Sequence, residues 1–395
     1  MMKTQMTVRL NVKTARVFDG SPWIYRGQFV PPKDNEGVGS VVTVVDSHNR
    51  FIGRGFYNPQ SVIAIRLLTR RHDDVIDGPW FARKIRSALH SRAGWIGSRD
   101  AYRVVNSEAD GIAGLIVDKY GPMLVIEVLS RGLVPFMPEI LDALVNLMHP
   151  TGIYERGDVP VRDREGLPRT NQLAFGRMES PVFIHEHGVT LSIDLAGGQK
   201  TGHFLDQYEN RGRVASMAAG KTVFDAFCHT GGFGLTAAYH GASSVTAVDI
   251  DEGAIAQAKH NATTNGLDGR TTFITANAFD WLRTTSEHGP QFDLGVLDPP
   301  AFTKSRDAVA RALKGYKEIN LRAIKLIRPG GILVTSSCSY HVSEADFIGV
   351  ISDAANDAKR HVKIMEIRGQ GPDHPILPAL PESRYLKCLI VEVGE

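Results

Sequence analysis

The sequence predicts an α/β chain in three parts. Residues 196–395 read as a doubly wound, mainly parallel sheet of seven strands, residues 1–73 as a small β-barrel-like module, and residues 74–195 as a middle α+β segment. Three observations lead there. Strand and helix patterns alternate strictly from Ala196 onward, which calls for parallel strands joined by helical crossovers. Only a short loop with Gly369, Gly371 and four prolines separates the last two strand patterns, so the final strand is expected to run antiparallel. No helical pattern of useful length precedes Pro79, and the residues before it are β-formers broken by Gly, Asn and Pro.

The first module is read from Val41, Val42, Val44 and Val45, then Arg50 to Phe56, then Ser61 to Leu68. Arg50, Arg54, Arg66, Arg70 and Arg71 lie in it with Trp23, Tyr25, Phe56 and Tyr57. Arginine interleaved with aromatics suits stacking and phosphate contact on RNA, and the same aromatics would also serve a core. The middle segment opens with a helix from Trp80 to about Ile96 and continues through Val104-Val105 and Gly114–Val117 to a strand at Met123–Leu129. A second helix is expected over Pro135–Leu147, and Pro181–Leu195 reads as a hairpin turning at His187-Gly188. Arg156, Arg162, Arg164 and Arg169 make its long loop basic, a hint of substrate contact.

In the third part the strands are Thr222–Phe227, Ser244–Asp249, Thr271–Thr275, Phe292–Leu297, Gly331–Thr335, Val362–Glu366 and Tyr385–Val393. Helices are read at Gly234–His240, Glu252–Asn265, Lys314–Ile327 and Ser343–Ala358.

Composition narrows the function. Of 395 residues, 43% are apolar and 22% charged, which suits a globular protein and excludes a disordered or collagen-like chain. The longest apolar run, Met123 to Leu129, holds Glu127 and is far too short to span a bilayer. The leading MMKTQMTVRL turns polar before a signal-peptide core could form, so a cytoplasmic location is expected. Cys228, Cys338 and Cys388 are too few and scattered for a disulfide framework or a zinc site, and no metal is expected. The net charge of +2 is uneven: residues 1–100 carry 16 Lys and Arg against 8 Asp and Glu, the remainder 29 against 35. A basic front on an acidic body suits a docked polyanion, and equally a solvated face.

Chemistry concentrates at strand ends. The first strand of the sheet runs into Asp225-Ala226-Phe227-Cys228-His229-Thr230-Gly231-Gly232-Phe233-Gly234. Glycines directly after a strand let the backbone approach a ligand at the carboxyl edge of a sheet. Gly-Gly-x-Gly is not the Gly-x-Gly-x-x-Gly that seats a pyrophosphate, and Asp225 would repel a phosphate but attract a cationic amino group. That combination favours S-adenosylmethionine, with its ammonium and sulfonium, over NAD. Asp249 closes the next strand 18 residues after Gly231, where a carboxylate can accept both ribose hydroxyls. A tight packing turn with a helix-capping Asp would use the same residues. Phe227, Ile250 and Asn277 complete the expected cofactor contacts of the strand ends. Upstream, Gly197 to Arg211 is a glycine loop entering a short helix; it could fold over the cofactor, with Phe204 packing and Lys200 or Arg211 near its carboxylate.

The fourth strand ends in Asp298-Pro299-Pro300-Ala301-Phe302. The prolines stiffen the exit from the sheet and leave Asp298 facing the cleft, able to hydrogen-bond a base edge or contact the cofactor. Amino-group methyltransferases use an acid-Pro-Pro-aromatic tetrapeptide there, and Ala301 interrupts that pattern. Cys338 falls just past the fifth strand, beside Asp298 if the two strands are neighbours. The C5 carbon of cytosine is a poor nucleophile, and a thiolate adding at C6 makes C5 able to attack a methyl sulfonium. Asp298 would hydrogen-bond or protonate N3 as charge builds on the ring. A buried small hydrophobe is the other reading of Cys338. Cys228 is a rival nucleophile with a structural reading, and Cys388 reads as core.

Together these residues resemble the RlmI-type family of ribosomal RNA large-subunit cytosine-C5 methyltransferases. The resemblance rests on Gln199-Lys200-Thr201-Gly202 with Phe204-Leu205-Asp206-Gln207, on Asp225 with Thr230-Gly231-Gly232-Phe233, on Asp298 to Phe302, and on Ser337-Cys338-Ser339-Tyr340-His341. Ser21-Pro22-Trp23-Ile24 and Gly53 to Asn58 resemble the PUA RNA-binding domain. The resemblance implies a class I methyltransferase (Rossmann-like) sheet, S-adenosylmethionine as donor, ribosomal RNA as partner, and Cys338 as nucleophile. Arg50, Arg54, Arg66 and Lys304 are then the expected RNA contacts, and a homodimer is compatible with it. Two departures stand out. His203 and Tyr208 occupy positions where an aromatic and an arginine are expected, and no second cysteine follows Asp298-Pro299. The base that takes the C5 proton is therefore unassigned between a water and His341. A guanine N2- or N7-methyltransferase and a non-catalytic RNA-binding protein with a relic cofactor fold are the alternatives.

Overall fold

A computed structural model of the chain describes residues 6–11, 17, 19–31, 37–198, 201–303 and 305–395. They fall into two compact units: one of residues 1–184, 193–205 and 372–383, the other of residues 185–192, 206–371 and 384–395.

Among the described residues, the first unit holds two five-stranded sheets. Strands β1 (Thr7–Arg9), β2 (Trp23–Tyr25), β3 (Val41–Val45), β4 (Phe51–Tyr57) and β5 (Ile63–Thr69) pair in the order β1-β3-β4-β5-β2. The β-branched run Val41-Val42-Thr43-Val44-Val45 suits a pleated surface, and alternate residues Val42 and Val44 face a core with Val8, Ile24, Tyr57 and Ile65. Helix α1 (Gly78–Ile96) starts at Asp77, whose carboxylate accepts from the Trp80 N–H at 2.9 Å, with Pro79 in the first turn. It packs Trp80, Phe81 and Ile85 onto the second sheet, formed by β6 (Ala101–Asn106), β7 (Leu115–Tyr120) and β8 (Met123–Val128) with strands that follow helix α2 (Met137–Met148). Those are β9 (Gly152–Glu155) and, after the short helix α3 (Val161–Glu165), β10 (Gln172–Gly176), giving the order β10-β9-β8-β7-β6.

Buried charges tie this unit together. Arg92 is 1% exposed and grips Asp110 through two bonds of 2.9 and 2.7 Å, and Arg103 grips Asp118 in the same way. The loop expected to be basic at its surface is not so throughout: Arg162 is buried against Glu155, and Arg156 is buried beside Asp158. A hairpin of β11 (Val182–Glu186) and β12 (Val189–Ile193) follows, turning as expected at His187 and Gly188 with φ of +48° and +85°. The boundary between the units runs through it.

The second unit is built on the seven-stranded sheet. After helix α4 (Tyr208–Ala215) come β13 (Thr222–Ala226), α5 (Gly232–Tyr239), β14 (Ser244–Asp249), α6 (Glu252–Thr264), β15 (Thr271–Thr275), α7 (Ala278–His288), β16 (Phe292–Leu297), α8 (Val309–Leu326), β17 (Ile327–Ser337), α9 (Glu344–Ala358), β18 (Val362–Arg368) and β19 (Lys387–Val393). The strand order is β15-β14-β13-β16-β17-β19-β18. All neighbours are parallel except β19, which runs antiparallel to both β17 and β18, as the short final connection required. Side chains of β13 alternate: Phe224 and Ala226 enter the core with α7, α8 and α9, while Asp225 turns to the α5 side. Helix α7 has no counterpart in the sequence reading; Asn277 caps it, accepting from the Phe279 N–H at 2.9 Å. Strand β17 starts four residues earlier than expected, with a register shift around Arg328–Gly331 that leaves Gly330 at a φ of +79°.

Candidate active site

Parallel strands deliver their carboxyl ends to one edge of the sheet, and adjacent ends that diverge leave room for a ligand. Asp225 and Asp249 lie at the ends of β13 and β14, and the other predicted residues of the second unit follow β13, β14, β15, β16 and β17 at that edge. After Ala226 the chain leaves β13 through Phe227 at φ +67° and His229 at φ +50°. Two non-glycine residues in the left-handed region within three positions are costly, on the order of 1–3 kcal/mol each, and such strain clusters at functional sites. The Phe227 and Cys228 N–H groups both donate to the Val248 carbonyl, at 2.9 and 3.1 Å, which pins the loop to the next strand. Gly231, at φ +87°, ends the loop; a Cβ there would stand 3.0 Å from Leu235.

Asp225 sits beneath this loop, 1% exposed. One of its oxygens accepts from the Gly234 N–H at 2.8 Å, and the other is buried with no hydrogen-bond partner among the described residues. Burial pushes its carboxyl up to about 7; the charges of Asp298 and Asp249 push the same way, against the Gly234 bond and Arg211. A buried acid with an empty acceptor and two acidic neighbours is a site for a cation.

Asp249 at the end of β14 accepts from the His229 N–H at 2.8 Å and from the Asp251 N–H at 3.0 Å, so it holds both loops while staying half-buried. Ile250 beside it is 67% exposed, and Asn277 is exposed after β15. The Phe227 ring meets Phe279 at 6.0 Å, Phe279 meets Phe302 at 5.6 Å, and Phe302 meets Tyr316 at 4.4 Å. This aromatic row connects the glycine loop to the turn after Asp298.

Strands β16 and β17 are neighbours, with Leu297 opposite Thr335, so the Asp298-Pro299 turn and Cys338 leave the sheet at the same edge. Cys338 is half-buried, and its thiol points at the Pro299 carbonyl, 3.8 Å away. The serines around it are buried and bonded: Ser339 Oγ lies 2.9 Å from the Tyr316 hydroxyl, and its N–H donates to Ser337 Oγ. Asp298 Oδ1 accepts from Gln207 Nε2 at 2.9 Å. Gln207 is itself oriented, since its Oε1 accepts from Asn210 Nδ2 at 2.6 Å, and Asn210 Oδ1 accepts from Arg368 Nε at 2.9 Å. The sequence reading found no role for Gln207 or Asn210 beyond the former's place in a motif; a Gln and an Asn one helical turn apart were the available signal.

The other cysteines behave as read. Cys228 is 6% exposed and burial drives its thiol well above the ordinary range; Cys388 is fully buried and pushed up to about 12 by burial. Arg211, expected with Lys200 near a ligand carboxylate, is buried, forms a two-bond pair with Glu186, and lies over the Phe233 ring at 5.8 Å. Phe204 belongs to the first unit. Lys200 and Lys304 lie outside the described residues. Tyr208 lies against the ring of His187 at 4.1 Å, and His341 against that of Tyr340 at 4.5 Å.

Among the expected RNA contacts of the first unit, Arg66 is corrected. Its side chain is 11% exposed and pairs with Glu108 at 2.7 Å and Glu165 at 3.4 Å, so its charge is neutralised inside the protein. Trp23 joins the same carboxylate through its indole N–H at 2.9 Å, and Phe56 and Tyr57 are core residues. Arg50 keeps a side chain 72% exposed while paired with Asp46, and Arg54 donates to the His72 and Asp74 carbonyls over the Phe51 ring.

Comparison with known proteins gives this geometry a setting. Residues 172–389 match the family model of S-adenosylmethionine-dependent methyltransferases, and residues 10–70 match that of PUA-like domains. The ribosomal RNA large subunit methyltransferase I of Tolumonas auensis is 40% identical over 375 residues, covering 94% of each chain. Its namesake in Shewanella denitrificans is 37% identical over 396 residues, covering 98% of this chain and all of the other. A methyltransferase structure from Streptococcus mutans superposes with a TM-score of 0.83 at 20% identity, over 98% of this chain and 100% of the other. Another, solved in complex with SAH, gives 0.84 at 21% over 98% and 99%. The two structures speak for the fold. The chain belongs to the family of the ribosomal RNA large subunit methyltransferase I proteins, S-adenosylmethionine-dependent methyltransferases with a PUA-like domain.

Proposed function

We propose that the chain methylates C5 of a cytosine in large-subunit ribosomal RNA, through a transient bond between Cys338 and C6 of the base. The single observation that carries this reading is the half-buried thiol of Cys338 beside the Asp298-Pro299 turn, 3.8 Å from the Pro299 carbonyl, on neighbouring strand ends.

The residues present fit S-adenosylmethionine. Asp225, with its unpartnered buried oxygen, would hold the ammonium, and Asp249 the ribose hydroxyls. Gly231, Phe227, Ile250 and Asn277 would complete the seat at the ends of β13, β14 and β15. When bound, the cofactor supplies a methyl group on a sulfonium. Cys338, as thiolate, adds to C6, and the C5–C6 π pair moves to C5. Asp298, held by Gln207, hydrogen-bonds the base edge and keeps the ring in place as charge shifts across it. C5, made nucleophilic by the Sγ–C6 bond, would then accept the methyl group that the bound cofactor supplies. The C5 proton then leaves to a base, for which water and His341 are the candidates, and the Sγ–C6 bond breaks as the C5–C6 double bond returns. The target base must leave its stack to meet the thiol. Arg50 and Arg54 are the remaining described RNA contacts proposed for the PUA-like domain.

The test is nucleoside mapping of large-subunit ribosomal RNA with and without the protein, alongside the Cys338→Ala variant. The expected product is 5-methylcytidine, absent with Cys338→Ala although that variant binds S-adenosylmethionine within a few-fold of the parent. Turnover by Cys338→Ala would remove the covalent route, and methylguanosine as product would replace the substrate base.

A further inference from the structure

Lysine is among the residues least often fully buried, yet Lys387 at the start of β19 is 3% exposed. Strand register places it directly opposite Ser337, the last residue of β17 and the one before Cys338. Its ammonium donates to the Ser339 carbonyl at 2.7 Å and to the Tyr385 carbonyl at 2.8 Å. The first bond clasps the residue after Cys338, so Lys387 grips the turn that carries the thiol from behind. A lysine enclosed this way needs a reason, because a neutral donor would satisfy two carbonyls with no charge to desolvate.

Resting on the reading of Cys338 as nucleophile, we propose that Lys387 is a positioning residue for Cys338, fixing the backbone after the thiol and favouring its thiolate form by a nearby positive charge. The charged and titratable groups facing Lys387 agree with this. Cys338 stands in its field from the end of β17, and Glu344 on α9 and Arg384 before β19 face it while pairing with each other. The Tyr316 hydroxyl from α8 bonds the Ser339 hydroxyl, and Tyr316 lies in the field of Cys338 as well. Burial lowers the Lys387 ammonium to about 8, with Cys338 acting in the opposite direction, so it stays mainly protonated at neutral pH. A cation beside a thiol is an established way of making it ionise at lower pH.

The test reads the thiol directly, apart from turnover. Full-length protein is alkylated with iodoacetamide from pH 6 to 10, and modification at Cys338 is followed by peptide mass spectrometry. Lys387→Gln keeps a donor for the carbonyls and removes the charge; Lys387→Arg keeps the charge. Lys387→Gln should shift the midpoint of Cys338 alkylation up by about one pH unit, with alkylation at pH 7 slowed about tenfold. Lys387→Arg should restore most of the profile, and both variants should bind S-adenosylmethionine within a few-fold of the parent. An unshifted profile in Lys387→Gln, or a shift that Lys387→Arg shares in full, overturns it. Failure of the covalent reading shows elsewhere, as methylation by Cys338→Ala, so the two outcomes are distinguishable.

Discussion

Replacing Asp225 by Asn isolates a charge whose removal should weaken the cofactor complex while stabilising the empty protein. The carboxyl is 1% exposed, and its folded value of about 7 lies above the ordinary 3.8. An acid whose folded value is raised contributes full stability below its unfolded value and loses it as pH rises through the window from about 4 to about 7. At about 1.36 kcal/mol per unit, the empty protein forfeits on the order of 4 kcal/mol above pH 7. Asn keeps an acceptor for the Gly234 N–H and carries no charge, so its empty form should melt at a higher temperature than the parent at pH 8, by a smaller margin at pH 5, and equally only below about pH 4. Binding should go the other way. A charge-assisted hydrogen bond to an ammonium contributes roughly 1.5–3 kcal/mol, so Asp225→Asn should bind S-adenosylmethionine about 10- to 100-fold more weakly at pH 8. Below pH 7 the parent must release a proton to bind, so its affinity should fall about tenfold per pH unit, whereas the variant's should stay flat. Isothermal titration calorimetry at pH 5.5, 6.5, 7.5 and 8.5, with thermal melts of the cofactor-free protein, measures both. Equal affinities with the same pH slope, or an Asn variant that melts lower at pH 8, would refute the assignment of the cationic group to Asp225.

Other substitutions probe neighbouring links. Asp249→Ala removes the acceptor of the His229 N–H and the proposed ribose contact, and should weaken cofactor binding by about 1–3 kcal/mol, read by the same calorimetry. Gln207→Leu takes the donor from Asp298 and leaves the strand ends in place, so kcat should drop about tenfold with cofactor affinity unchanged; an unchanged kcat would mean that Asp298 needs no such support. Arg66→Met leaves Glu108 and Glu165 buried without their cation and should destabilise the protein by about 3–5 kcal/mol in denaturant unfolding. Arg50→Gln, at an exposed side chain, should leave stability within about 0.5 kcal/mol and weaken RNA binding with a shallower salt dependence.

Much of the architecture was legible because it is written in local patterns. Alternation of strand and helix after Ala196, the Gly-rich exit at Gly231, the prolines after Asp298 and the serines around Cys338 each mark a strand end within ten residues of chain. Helix α7 escaped because its residues, Ala278–His288, are mostly polar at the surface and its only start signal is the Asn277 cap. The bulge in β17 hid the first half of that strand behind Pro329 and Gly330.

Residue types and their spacing determined the sheet, the antiparallel last strand and the strand ends that carry Asp225, Asp249, Asp298 and Cys338, since propensity and turn chemistry act over a few residues. Only the tertiary structure decided which charges are available. Arg66 meets carboxylates 42 and 99 positions away, Arg211 meets Glu186 and Lys387 meets Ser339, 48 residues earlier. A charge is silenced or put to use by partners that approach through space, and in the linear sequence a buried cation looks the same as one awaiting a phosphate.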